Sequence, residues 1–122
     1  MILLVNPRAT RPKNRRFPLS VMAIGAALPE GVTWEIIDGN RPGVDPYEDI
    51  VHWVEARAGT SDPVRAVAMT VMPGPQLVSA VPLARRLKQR YPRLPIVWGG
   101  YFPSLYPTPV LNADYVDYAV RG

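Results

Sequence analysis

The chain has 122 residues, long enough for one compact domain and too short for two. At 48% hydrophobic and 20% charged it can bury a core, so its 15 prolines do not signal disorder. The absence of Cys excludes disulfides, thiolate metal sites, a cysteine nucleophile and an iron–sulfur cluster held by this chain alone.

The formal charge of +4 is local rather than general. Of 14 Lys and Arg, five (Arg8, Arg11, Lys13, Arg15 and Arg16) crowd into residues 8–16, which leaves nine against ten Asp and Glu elsewhere. Nucleic-acid surfaces spread their basic residues over a face or helix with aromatics interleaved, so nucleic acid is not the expected partner. No apolar run approaches the roughly 18 residues of a membrane span. Ile2-Leu3-Leu4-Val5 is too short for a signal core and runs into Asn6-Pro7, so a cytoplasmic location is expected.

Strand and helix signals alternate along the chain. Ile2 to Asn6 is a short aliphatic run closed by Pro7, a central strand by composition. After the basic loop, Pro18 to Leu28 places Leu19, Met22 and Ala26 at helical spacing, and Pro29-Glu30-Gly31 stops it. Thr33 to Asp38 is strand-like and turns at Asp38-Gly39-Asn40. Asp45-Pro46-Tyr47-Glu48 is a helix start, with Asp45 as cap, Pro46 in the first position and Glu48 able to reach back. Tyr47, Ile50, Val51, Val54 and Ala58 then share one apolar face, and Gly59 ends it.

Ala66 to Val71 is the third strand. The following stripe is Leu77, Val81, Ala84, Leu87 and Tyr91, with Arg85, Arg86, Lys88 and Arg90 mostly off it. Proline inside a helix costs about 3 kcal/mol, so either regular helix begins near Ser79, the favoured reading, with Pro82 in its first turn, or the helix kinks at Pro82. Pro95 to Trp98 is the fourth strand, Ser104 to Leu111 a broken helical stretch and Tyr115 to Val120 the fifth strand. Five strands separated by helices imply right-handed crossovers and a doubly wound parallel α/β sheet. The smallest common solution is the flavodoxin-like order 2-1-3-4-5 over residues 1–122, whose ligands bind at the carboxyl ends of the strands.

That edge carries Asn6 to Arg16, Thr70 to Gln76 and Gly99 to Pro103. The second and third of these loops contain almost no acid, base or nucleophile, so they suit holding a ligand rather than reacting with it. No catalytic residue and no Ser/His/Asp constellation stands out. A phosphoacceptor receiver domain needs acids after strand one, an Asp ending strand three and a Lys after strand four, to hold magnesium beside the phosphorylated carboxylate. Asn6, Thr70 and Gly99-Gly100 stand there instead. A flavodoxin phosphate loop is rich in Ser, Thr and Gly, whereas this first loop is rich in Pro and Arg. No G-x-G-x-x-G or Walker loop is present.

The chain resembles the cobalamin-binding domain found at the N-terminus of a class of radical S-adenosylmethionine enzymes. The resemblance spans Ile2-Leu3-Leu4-Val5-Asn6-Pro7, Phe17-Pro18-Leu19-Ser20, Ile36-Ile37-Asp38-Gly39-Asn40 and Thr70-x-Met72-x-Gly74-x-Gln76. It continues through Trp98-Gly99-Gly100-Tyr101-x-Pro103 and the closing Tyr115-Val116-Asp117-Tyr118-Ala119-Val120-Arg121-Gly122. It implies a cofactor domain of a larger enzyme, ending before a catalytic barrel of the same polypeptide that binds S-adenosylmethionine and an iron–sulfur cluster. The whole enzyme would methylate an unactivated carbon or carry out a related radical step. The bare fold also admits a stand-alone module for another flat ligand, such as a flavin or nucleotide.

By this resemblance the cofactor contacts are Asn6, Pro7 and Arg8 after strand one, and Thr70, Val71, Met72, Gly74 and Gln76 after strand three. Gly99, Gly100, Tyr101 and Pro103 complete the set after strand four. Paired glycines admit the nucleotide tail where a Cβ would clash, and the Thr70 hydroxyl stands where related domains bond a benzimidazole nitrogen. The plain alternative is a strand-ending turn and a core-edge threonine. Methionine-synthase-like domains carry Asp-x-His-x-x-Gly after strand one, with the His as lower ligand of cobalt. Asn6-Pro7-Arg8-Ala9-Thr10-Arg11 has no His, and His52, beside Trp53 in the second helix, reads as a surface or packing residue rather than a metal ligand. The basic loop has two readings. It is a solvated loop, or it borders the cofactor through Arg8 and Arg11 and meets the neighbouring domain through Lys13, Arg15 and Arg16. Trp98, Tyr101 and Phe102 flank the same edge, although a Trp inside a strand is more often core.

Overall fold

A computed structural model describes residues 1–122. The aliphatic run Ile2–Asn6 forms β1, and Leu19–Ala27 forms α1 after a single 3-10 turn at Pro12–Asn14. The chain continues through β2 (Trp34–Asp38), α2 (Pro46–Arg57), β3 (Ala66–Thr70), α3 (Pro75–Arg90) and β4 (Ile96–Gly99). Two short helices, α4 (Tyr101–Leu105) and α5 (Pro107–Leu111), lead to β5 (Tyr118–Ala119). The strands form one sheet in the order β2-β1-β3-β4-β5, with every neighbouring pair parallel. This is the expected flavodoxin-like arrangement. Its register sets Asn6 opposite Asp38 and Thr70 opposite Gly99, so the polar strand ends meet at one edge.

Side chains alternate across a strand, and the two faces of this sheet are covered unequally. On one face Leu3, Val5, Ile37, Val67, Met69, Ile96 and Trp98 pack with Ile50 of α2, Leu83 and Leu87 of α3 and Val110 of α5, in a core of 17 buried residues. Burying each large apolar side chain there contributes roughly 1.5–3 kcal/mol. Trp98 is fully buried with its ring 5.9 Å from that of Tyr115, so it is a core residue rather than a flank of the carboxyl edge.

The opposite face is covered by α1 alone. Val21 and Gly25 are its buried residues. A Cβ on Gly25 would lie 2.8 Å from the Trp34 ring, so glycine is what lets the helix settle on β2. The predicted stripe is turned outward: Leu19 is 69% and Met22 43% exposed, and Ala26 is exposed as well. With Ile24 also exposed, α1 is apolar on nearly every side, and spacing could not choose among its faces. Toward the β5 edge the sheet lies open at Tyr118 and Val120.

Other boundaries also differ from expectation. Helix α3 begins at Pro75, not near Ser79, and runs through Pro82. The carbonyl that loses its partner belongs to Val78, which is 73% exposed, so water can satisfy it while Ala80, Leu83, Ala84 and Leu87 stay packed. The Asp45 side chain accepts from the Tyr47 and Glu48 amides, but no bond returns from the Glu48 side chain. Ala58 falls just beyond α2 and is exposed. The fifth strand shrinks to two residues because Val116 turns into the core and the Asp117 side chain accepts from the Ile96 amide at 2.7 Å.

At the amino edge of the sheet the Met1 ammonium donates to Asp62 at 2.5 Å and to the Pro63 carbonyl at 2.9 Å. The Thr33 hydroxyl also donates to Asp62, and Arg57 approaches it at 3.4 Å. The ammonium bond, then the Thr33 bond, hold the Asp62 carboxyl below its ordinary 3.8. A depressed carboxyl stabilises the fold above its unfolded pKa and loses that contribution as pH falls through the folded value. Asp62→Asn is therefore expected to lower the thermal midpoint at pH 7. The gap from the parent chain should close as pH drops below 3.8 in melts followed by circular dichroism.

Candidate cofactor-binding site

Four polar side chains are buried at the carboxyl edge: Asn6, Asp38, Thr70 and Gln76. Gln76, in the first turn of α3, donates to Asn6 Oδ1 at 2.7 Å and to the Pro7 carbonyl at 3.2 Å, while its Oε1 accepts from the Met72 amide at 2.9 Å. Asn6 Nδ2 in turn donates to Asp38 Oδ1 at 2.9 Å. A single buried chain thus ties together the loops after β1, β2 and β3. A buried polar group left without its partner costs about 1–3 kcal/mol, which is why this network is closed. Asn6 and Gln76 were expected as direct ligand contacts. Their amides are engaged with one another, so they brace the loops.

The two glycines at the end of β4 do different things. Gly100 has φ +94°, and a Cβ there would stand 3.0 Å from Thr70 Oγ1 and 3.2 Å from the Val71 backbone. It is required by the fold, because it seats the α4 turn against β3, where the Phe102 amide donates to the Val71 carbonyl at 2.9 Å. Gly99 has ordinary strand geometry, and the only atom within 4 Å of its absent Cβ is Val120 Cβ, at 3.9 Å. It opens space on the sheet face that α1 covers only in part. Thr70 lies opposite it, with its hydroxyl 3.4 Å from that of Ser20.

Above this edge lies a cavity of about 1080 Å³. Its floor is Asn6, Thr70, Met72 and Gln76, and one wall is Phe17, Leu19 and Ser20 at the start of α1. The other wall is the basic loop, with Arg11, Lys13, Arg15 and Arg16. None of the loop's five cations forms an ion pair within the chain. The surroundings therefore suit an anionic group, and neither Gly99 nor Gly100 lines this cavity.

Several expected residues lie elsewhere. Pro7 and Arg8 line a separate cavity of about 440 Å³ with Tyr47 and Arg86, and Arg8 Nε donates to the Gly39 carbonyl at 3.1 Å. Val71 is fully buried, Gly74 is an exposed turn ahead of α3, Tyr101 is 64% exposed and Pro103 is buried in α4. Phe102 is half-buried against the core. His52 is exposed in mid-α2, with its ring 6.4 Å from Trp53. The wall residue Asn40 was read only as part of a turn; nothing in its spacing marks the cavity, since β2 brings it there.

The B12 binding domain family matches residues 7–122. No curated protein and no solved structure gives a significant match. With a carboxyl-edge cavity, a sheet face left open at Gly99 and a buried threonine opposite it, the chain belongs to the B12-binding domain family and is a cobalamin-binding domain.

Proposed function

We propose that this domain holds cobalamin base-off and without a histidine ligand, and presents it to a radical S-adenosylmethionine domain of the same polypeptide. The observation that carries the reading is the pairing of the open Gly99 position with the Thr70 hydroxyl on the partly covered face, beside a first loop with no histidine. The family match favours cobalamin over the flavin or nucleotide that the bare fold also admits.

In this reading Gly99 and Thr70 would hold the nucleotide tail, and Arg11 would hold its phosphate. Gln76 and Asn6 hold the loops that shape the slot. When bound, cobalamin supplies the methyl-relaying chemistry, and the domain contributes binding and orientation. S-adenosylmethionine and the iron–sulfur cluster belong to the partner domain, since this chain has no thiolate to hold a cluster. The exposed apolar side of α1 and the open sheet at Tyr118 and Val120 support a docking partner, because parallel sheets are normally covered on both faces. No helix is long and apolar enough to cross a membrane.

Three outcomes test the proposal. Hydroxocobalamin added to the protein and reduced to Co(II) should give a base-off visible spectrum and a paramagnetic resonance signal without nitrogen splitting. Splitting from an axial nitrogen would overturn the histidine-free assignment. Gly99→Val is the clean probe of the slot, because its side chain enters open space. Its thermal midpoint should stay near the parent's, while cobalamin affinity by calorimetry falls by roughly one to two decades. Neutralising Lys13, Arg15 and Arg16 together should leave the fold intact and weaken domain docking or turnover in the full-length protein. Binding of the parent chain to nucleic acid should be weak and steeply salt-dependent, and submicromolar sequence-selective binding would reassign the loop.

A further inference from the structure

We propose that Asn40 is the positioning residue of the basic loop, the side chain that sets where residues 11–16 stand against the cofactor cavity. The inference rests on the reading of that cavity as the cobalamin site. Asn40 Oδ1 accepts three hydrogen bonds from the loop: the Ala9 amide at 2.9 Å, the Thr10 amide at 3.0 Å and the Thr10 hydroxyl at 3.1 Å. Between Ala9 and Arg16 these are the bonds that leave the segment. The others, Asn14 amide to Arg11 carbonyl and Arg15 Nε to Pro12 carbonyl, stay inside it.

Asn40 is itself held. Its backbone amide and its Nδ2 both donate to Asp38 Oδ1, at 3.1 and 3.3 Å, the same oxygen that receives Asn6 Nδ2. The buried chain from Gln76 through Asn6 and Asp38 therefore ends on the loop by way of Asn40. The turn does not need asparagine for its backbone, since no residue other than glycine has a positive φ. What the position uses is a carbonyl that accepts three donors and an amide that donates to Asp38.

The charge of the loop makes such an anchor matter. Five cations within nine residues repel one another, and no carboxylate of the chain pairs with them. Without Asn40 the loop samples many positions, and a ligand that needs the wall in place binds more weakly in proportion to the fraction of time it is there.

The test compares the parent chain with Asn40→Ala, Asn40→Asp and Thr10→Pro, using hydroxocobalamin titration, trypsin cleavage after Lys13, Arg15 and Arg16, and thermal melting. Asn40→Ala should be cleaved in the loop about tenfold faster and bind cobalamin about tenfold more weakly, with the melting midpoint within a few degrees of the parent. Asn40→Asp keeps the acceptor but loses the donation to Asp38 and sets a second carboxylate beside it, so it should fall between the parent and Asn40→Ala on both counts. Thr10→Pro removes two of the three donors without touching Asn40 or Asp38, so it should reproduce both changes even where Asn40→Ala does not fold. Parent-like cleavage and affinity in Asn40→Ala or Thr10→Pro would overturn the proposal, as would faster cleavage with unchanged affinity. A parent chain that binds no cobalamin would instead overturn the reading of the cavity, and the cleavage rates would still decide the anchoring.

Discussion

The carboxyl edge depends on one buried hydrogen-bond chain, Gln76 to Asn6 to Asp38. Three loops with little regular structure of their own must hold a shaped cavity at the end of a sheet. Loops lie at the surface because their backbone groups need partners, and side chains from the strand ends supply some of those partners here. Gln76 takes the Met72 amide and the Pro7 carbonyl, and Asp38 takes the Asn40 amide. Each member is satisfied, and in low dielectric such a network is rigid when complete and costly when broken. The same groups that brace the loops also form part of the cavity floor.

The second constraint is the unequal covering of the sheet. The face toward α2 and α3 carries large side chains, Val67, Met69, Ile96 and Trp98, and closes into the main core. On the other face β3 and β4 present Ala68 beside Val97 and Thr70 beside Gly99, under a helix that covers only part of it. Small side chains and the partial covering by α1 leave room at the surface of a parallel sheet, where space is otherwise filled.

Gly99 and Gly100 show how adjacent identical residues divide roles. Gly100 carries the positive φ and the close approach to β3, so it belongs to the fold. Gly99 faces open space and carries no such constraint. The pair could not be split from spacing alone, because a strand-ending turn and a ligand slot both ask for glycine.

Much of the fold was legible in the chain because its signals are local. Aliphatic runs ending in Pro or Gly marked β1, β3 and β4, Asp45-Pro46 marked the start of α2, and five alternations left the parallel order 2-1-3-4-5 as the small solution. The loops that carry the site were legible for the same reason, since strand ends in this topology meet at one edge. What depended on partners far along the chain was not. Which side of the uniformly apolar α1 is buried was decided by Gly25 against Trp34, and the run of α3 through Pro82 by packing that outweighed one lost bond. The length of β5 was decided by Val116 turning into the core, and the role of Asn40 by its meeting Ala9 and Thr10 across two strands. Local propensity and pattern determine where elements begin and what the loops contain; only tertiary contact decides which apolar face is covered and which polar side chains remain free for a ligand.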